Sequence, residues 1–445
     1  MPAAEASGMP TAKHSRKQQS LTAIAVFLVI TVSFVRSVAF KRRSRPHTVY
    51  GLQIFSQYSQ TIDLSDQQRH TNPDPIMTKV STSSNSGRIV TLIHDSAVLR
   101  DNPLGDPHQR KLSVYLPAAY DLPRNTNRRY PTLYDLAGFT SSGLSHLNWR
   151  NFDENLPEKL DRLIQTKRMP PVIVVFPDCF TRFGGNQYIN SSAIGAYADY
   201  LNDELVPFVD HEFRTLPDAR HRGCFGKSSG GFGAMRLGMA YPNIWGAIAN
   251  HSGDAHFDFV YGAEWPAVLT HLQRFAAPVL KPGKTRVKPQ SSPGEDDGRV
   301  RRFLAHVAKC PPNGEEPLTG KDIMSLMLIA MAATYDPNPH APNGFNLPFD
   351  LNTGERIDAR WRTWLAHDPI NRVRANKTRL AKLRGIYIDC GWQDQFHIHY
   401  GSRQLSMRLQ QYGITHRYEE FAGTHSGIDH RLDVSLPFLA KSLKP

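Results

Sequence analysis

Gly226-Lys-Ser-Ser-Gly230 is a G-x-S-x-G pattern, and Ser228 at its centre is a candidate nucleophile. Cys224 and Phe225 end an apolar run that reads as a buried strand. From Ser229 onward the spacing is helical, with Phe232, Met235 and Met239 on one side. A serine at such a strand-to-helix turn sits in a strained backbone conformation, so glycines flank it where a Cβ would collide. The turn lifts the hydroxyl above the sheet edge. It also aims the next amide, that of Ser229, at the place where an oxyanion forms. Three common residue types at this spacing carry little information alone. The strand before, the helix after, and Gly231 and Gly233, which let that helix pack close, give the pattern its weight.

A serine hydroxyl is a weak nucleophile. It needs a base to take its proton, and the base needs a carboxylate to fix its tautomer and stabilise its charge. With a nucleophile on this kind of turn, the chain order is serine, acid, histidine, the last two on loops after late strands. Asp394 in Asp389-Cys-Gly-Trp-Gln-Asp394 stands just past an apolar run and is the predicted acid; Asp389, at the strand end, is the runner-up. His425 in Gly423-Thr-His425 follows the last predicted strand and is the predicted base, whereas His397, His399 and His430 read as filler. The loop Ala137-Gly-Phe-Thr-Ser141 follows another strand, and the Phe139 amide is the candidate second oxyanion donor beside Ser229.

These loops need a sheet to hold them. Strands are predicted at Arg88–His94, Leu112–Pro117, Tyr130–Leu136, Pro171–Pro177, through Cys224 and Phe225, and at Trp245–Asn250, Gly385–Cys390 and Arg417–Phe421. Pro171–Pro177 is continuously apolar, as a strand buried on both faces should be. A helix is predicted from Ala196 to Phe213. Strands alternating with helices imply an α/β class with a mostly parallel central sheet and helices on both faces. Between the sixth and seventh strands lie residues 251–384, too many for one crossover. They read as a helical insertion capping the catalytic edge, with helices at Val300–Lys309 and Lys321–Ala333 and a polar, mobile stretch from Lys281 to Gly298. Trp265, Trp361 and Trp364 are candidates for packing or for a pocket lining, and Ile323–Ala330 for an apolar wall.

The chain has 445 residues, 40% hydrophobic and 21% charged, enough for one large α/β domain or two domains. Net charge is +13, but eight basic residues against one acidic fall within residues 1–48. No basic stripe with interleaved aromatics appears, which argues against nucleic acid as partner. Cys179, Cys224, Cys310 and Cys390 form no C-x-x-C pair, so no thiolate metal site is implied. Leu21–Val35 is uncharged, follows Lys13, Arg16 and Lys17, and precedes Ser37-Val-Ala39. That pattern reads as a signal peptide or membrane anchor over 1–39, followed by a flexible linker over 40–87 and a folded domain over 88–445. Export or membrane tethering follows from it; the competing reading starts translation near Met77 and keeps the chain cytoplasmic.

With these residues in hand the chain resembles the putative esterase family of α/β-hydrolases. That family includes esterase D (S-formylglutathione hydrolase), feruloyl and acetylxylan esterases, enterochelin esterases and mycobacterial mycolyltransferases. The resemblance rests on Val114-Tyr-Leu-Pro117, Asp178 after an apolar strand, Glu204-Leu-Val-Pro207, Gly226–Ala234, Asp389–Asp394 and Gly423-Thr-His425. It covers most of 88–440 apart from the insertion. It implies an α/β-hydrolase fold and a serine esterase using an acyl-enzyme. Ser228 is then the nucleophile, Asp394 the acid, His425 the base, and the Phe139 and Ser229 amides the oxyanion donors, with no metal or cofactor. The substrate implied is a small-molecule or carbohydrate-linked ester. Thioester hydrolysis of the S-formylglutathione type and acyl transfer are the neighbouring alternatives. A non-catalytic carbohydrate-binding module is the competing class. Many members have His-Gly where this chain has Ala137-Gly138, and S-formylglutathione hydrolases have Ser-Gly-Leu-Thr-Cys where it has Ala137–Ser141.

Overall fold

Apolar runs without polar alternation become strands buried on both faces, and the computed structural model shows five of them side by side. It describes residues 86–276, 297–310 and 316–444. The amino-terminal apolar segment, the linker through residue 85 and most of the polar stretch from 281 lie outside the described residues. The strands of the main sheet are β1 (Arg88–Asp95), β2 (Gln109–Leu116), β3 (Thr132–Leu136), β4 (Ile173–Pro177), β5 (Arg222–Lys227), β6 (Ala247–His251), β7 (Gly385–Gly391) and β8 (Arg417–Phe421). Their order is β1-β2-β4-β3-β5-β6-β7-β8. β2 pairs antiparallel with β1 and β4; the remaining neighbours are parallel. This is the mostly parallel sheet expected from the strand–helix alternation, in the α/β-hydrolase arrangement that the family resemblance implies.

Strand side chains divide by parity between two cores. Tyr134 and Leu136 of β3, Ile173 and Val175 of β4, and Cys224 of β5 belong to the larger core. Leu133, Val174 and Phe225 belong to the smaller one on the opposite face. Six helices flank the sheet or bear on the site: α1 (Leu156–Gln165), α2 (Ser229–Ala240), α3 (Gly320–Tyr335), α4 (Pro369–Leu380), α5 (Ile398–Gln411) and α6 (Leu432–Ser442). α1 and α6 bury leucines in the smaller core; α2, α4 and α5 pack over the other face. Start signals are explicit. Asn155 and Glu158 form a capping box on α1, and Thr319 and Asp322 do the same on α3. The predicted helix over Ala196–Phe213 is helical from Tyr197 to Glu212, with Tyr200–Leu205 wound as a π-helix.

Parallel register aligns the strand ends that carry the predicted site. Leu136 pairs with Gly226, Lys227 with His251, His251 with Asp389, and Gly391 with Phe421. The loops holding Phe139, Ser228, Asp394 and His425 thus leave one edge of the sheet.

The insertion differs from expectation in two ways. Helix α4, before β7, packs against α2 and α5, so a crossover helix is retained and the extra helices precede it. The tryptophans do not line the candidate site. Trp265, Trp361 and Trp364 are buried, with Trp361 and Trp364 ring centroids 5.5 Å apart and Tyr335 5.5 Å from Trp364. They belong to the larger core, which runs unbroken from the sheet face into the cap. Burying three indoles there is a better use of their area than leaving them beside solvent.

Candidate active site

Ser228 lies between the last residue of β5 and the first of α2, with φ 58° and ψ −124°. A non-glycine residue at positive φ is strained, and it persists only where the surroundings hold it. Here they do. The Ser228 amide donates to the His251 carbonyl at 3.0 Å, and the Phe232 amide donates to the Ser228 carbonyl at 2.9 Å. A Cβ on Gly226 or Gly230 would fall inside contact distance of the Leu136 carbonyl oxygen, so both flanking positions must be glycine.

The Ala137–Ser141 loop presses against this turn. A Cβ on Gly138 would sit 3.1 Å from the Lys227 carbonyl oxygen and 3.6 Å from the Ser228 Cβ. The Thr140 amide donates to the Gly184 carbonyl at 2.6 Å, the Ser141 amide donates to the Gly138 carbonyl at 3.1 Å, and the Tyr188 hydroxyl donates to the Ala137 carbonyl at 2.6 Å. Thr140 takes a positive φ of 64° in the same loop. Among the described residues, neither the Phe139 nor the Ser229 amide has a backbone acceptor. At the first position of a helix an amide is free by geometry.

Asp394 and His425 meet. The His425 Nδ1 lies 2.8 Å from Asp394 Oδ2, and both side chains are buried. The Phe396 amide donates to Asp394 Oδ1 at 2.9 Å, and the His425 amide donates to Gln395 Oε1 at 3.1 Å. Burial pushes the Asp394 carboxyl up. The His425 bond and charge, with amide bonds from Phe396 and Ile398, outweigh it and hold the carboxyl below its ordinary range. Ser228 and His425 line the same cavity, of about 650 Å³.

The runner-up Asp389 has other partners. It bonds His251 Nδ1 at 2.6 Å, the Tyr387 hydroxyl at 2.9 Å and Arg431 Nε at 2.8 Å. His251 Nε2 in turn lies 2.9 Å from the Ser435 hydroxyl. This is a second serine–histidine–aspartate chain, but Ser435 and Asp389 have no exposed surface. It ties β6, β7 and α6 together, and of its three members only His251 lies along the cavity.

Several cavity residues lie outside the predicted set. Asp254 follows β6 in Ser252-Gly-Asp254. It accepts from the Tyr261 hydroxyl at 2.8 Å and from Gln187 Nε2 at 3.4 Å. Gln187 also donates to the Ser229 hydroxyl at 2.7 Å. Burial pushes the Asp254 carboxyl up to about 6. Lys227, beside the serine, lines the cavity half-buried, and desolvation lowers its ammonium below the ordinary range. His146 bonds Asp135, whose charge raises the imidazole despite burial. Apolar wall comes from Val260, Ile323, Met324 and Met327, the last three within the run predicted to supply it. The strand-end position of Asp254 was the one signal available for it; Gln187 and Tyr261 carry no spacing signature. Among the described residues no group of three or more metal-binding side chains occurs, and no helix is long and apolar enough to cross a membrane. All four cysteines are buried thiols.

Esterase Rv1288 of Mycobacterium tuberculosis is 27% identical over 195 residues, covering 42% of this chain and 37% of the relative. An endo-1,4-beta-xylanase/feruloyl esterase of Xylanibacter ruminicola is 28% identical over 154 residues, covering 32% of this chain and 19% of the relative. The matched stretch thus spans well under half the length of these relatives. Solved structures of similar fold include a ferulic acid esterase, 16% identical, with TM-score 0.47 over 81% of this chain and 99% of that one. Another is a fluorophosphonate-binding serine hydrolase of Staphylococcus aureus, 12% identical, with TM-score 0.46 over 81% of this chain and 100% of that one. The family model described as putative esterase matches residues 107–434, and with that match over most of its length the chain belongs to the putative esterase family of α/β-hydrolases.

Proposed function

We propose that this chain is a serine esterase that cleaves carboxylic esters through an acyl-enzyme. The observation that carries the reading is a buried Asp394–His425 pair, 2.8 Å apart, sharing a cavity with a serine on a strained strand-to-helix turn. Ser228 Oγ attacks the ester carbonyl carbon while its proton passes to His425 Nε2. Asp394 holds Nδ1 and stabilises the imidazolium that results. The carbonyl oxygen becomes an oxyanion between the Phe139 and Ser229 amides, which have no competing backbone acceptor. Collapse breaks the bond to the alkoxide, which leaves with the proton from Nε2. Water then repeats the sequence, giving its proton to Nε2, and the acid departs as Ser228 Oγ regains a proton.

Substrate features follow from the walls. The methionine-rich side fits an apolar acyl or alcohol group, and the Lys227 and His146 side is polar. The amino-terminal pattern extends the proposal to an exported or membrane-tethered enzyme.

The test is labelling. A fluorophosphonate probe followed by peptide mass spectrometry should mark Ser228. Ser228→Ala should lose labelling and turnover by on the order of 10⁴–10⁶-fold in kcat while the fold persists. Label on Ser229, or unchanged turnover in the variant, would overturn the assignment, and a wild-type chain with neither label nor turnover would be a binding module.

A further inference from the structure

A second pocket, of about 210 Å³, opens behind the nucleophile helix and shares no lining residue with the catalytic cavity. Arg236 and Leu237 of α2, Tyr188, Tyr241 and His367 form its walls. Its chemistry is one-sided. Arg236 has Nε and Nη1 buried with no hydrogen-bond partner, and among the described residues it makes no ion pair. His367 Nδ1 is likewise buried without a partner. Arg372 stands beside both, and its Nε is also unsatisfied.

Desolvation, with Arg372 adding repulsion, brings the Arg236 guanidinium down to about 10. Desolvation together with Arg236 and Arg372 brings His367 down to about 4. Among the described residues no carboxylate pairs with them: Asp199 and Asp203 act on Tyr241, and neither pairs with Arg236. Buried charges are normally paired, because an uncompensated one costs several kcal/mol. A guanidinium also presents a planar donor fork suited to oxyanions.

We infer that this pocket binds a small oxyanion, held by the Arg236 guanidinium and the His367 imidazole that line it, with Arg372 supplying further positive charge. The volume admits inorganic phosphate, sulfate or a short carboxylate. His367 stacks on Tyr335 with ring centroids 5.1 Å apart, so the ligand would also fasten the cap helix α3 to α2.

Thermal unfolding of the full chain in a chloride buffer tests this. Inorganic phosphate, added at constant ionic strength, should raise Tm saturably by roughly 3 °C at tenfold excess over its dissociation constant. Arg236→Met should abolish that rise. In phosphate-free buffer the variant should melt no lower than wild type, because a half-buried charge without an ion-pair partner has been removed. Acetate at the same ionic strength separates the sources. A rise with phosphate alone assigns a tetrahedral oxyanion, and an equal rise with acetate assigns a carboxylate. No saturable rise with either, or an undiminished rise in Arg236→Met, overturns the inference. Should that variant fail to fold, wild-type crystals soaked in selenate decide: an anomalous peak between Arg236 and His367 supports the site, and its absence there refutes it.

Discussion

Two buried aspartates each hold a histidine in this fold, and exchanging each for asparagine separates chemistry from stability. Asp394→Asn keeps size and shape but replaces an acceptor with an amide that can donate to His425 Nδ1. The imidazole proton then moves to Nε2, the nitrogen that has to receive the serine proton. The imidazolium also loses its counter-charge across 2.8 Å. The expected loss is roughly 10⁴-fold in kcat, or about 5 kcal/mol of transition-state stabilisation. Little stability should be lost, since the asparagine can still accept from the Phe396 amide. Asp389→Asn does the reverse. That carboxylate carries bonds to His251, Tyr387 and Arg431 with no exposure, and its loss leaves Arg431 with Glu419 as counter-charge and the Tyr387 hydroxyl as acceptor. Breaking a buried charged network of this kind costs about 3–5 kcal/mol. Turnover of 4-nitrophenyl acetate, measured beside urea unfolding of each variant, gives both axes. Full turnover in Asp394→Asn with collapse in a well-folded Asp389→Asn would refute the reasoning and hand the acid role to Asp389.

The cavity gives two further expected outcomes. Asp254 has its carboxyl raised by burial from an unfolded value near 4 to about 6, so the native state holds the extra proton in between. A raised acid destabilises the fold above the folded pKa and not below the unfolded one. Asp254→Asn should therefore be more stable than wild type by ~3 kcal/mol at pH 8, with the gain vanishing near pH 4; a gain independent of pH in urea titrations would contradict the burial argument. Met327→Trp fills part of the apolar wall, so kcat/KM for an octanoyl ester should fall at least about tenfold while the acetyl ester changes by less than about threefold. Equal losses for both esters would mean that Met327 supports the fold and not the acyl group.

Backbone punctuation made much of this site legible. Gly226 and Gly230 had to be glycine because their Cβ positions are occupied by the Leu136 carbonyl, and that requirement singled out Ser228. Asp394 was separable from Asp389 because β7 ends at Gly391, so one stands in the strand and the other past it. His425 was found the same way, four residues beyond β8. The rest had no local signature. Indoles report hydrophobicity and not destination, so packing was the leading reading of Trp265, Trp361 and Trp364 and a pocket wall the alternative, and the fold places them in the core. Asp254, Gln187 and Tyr261 are joined only in three dimensions, through single bonds between distant segments. The π-helical stretch at Tyr200–Leu205 departs from α-helical winding without any residue that announces it.

The buried indoles also decide what kind of cap this is. A cap that swung open would expose Trp265, Trp361 and Trp364 together with Tyr335, all of them nearly inaccessible. At roughly 150–250 Å² and 25 cal/mol per Å² each, three indoles alone amount to ~11–19 kcal/mol, as much as a whole domain's net stability. Polar ties run the same way: Tyr261 bonds Asp254 beside the serine, and the Phe257 amide donates to Asp368 at 2.9 Å just before α4. The cap helices around these rings are thus part of the hydrolase core, and a hinged lid is excluded on energy. In the esterase reading, selection among substrates then falls to side chains on fixed walls. Met324 and Met327 are the adaptable ones, because an unbranched thioether repacks around differently shaped groups without moving the backbone beneath it.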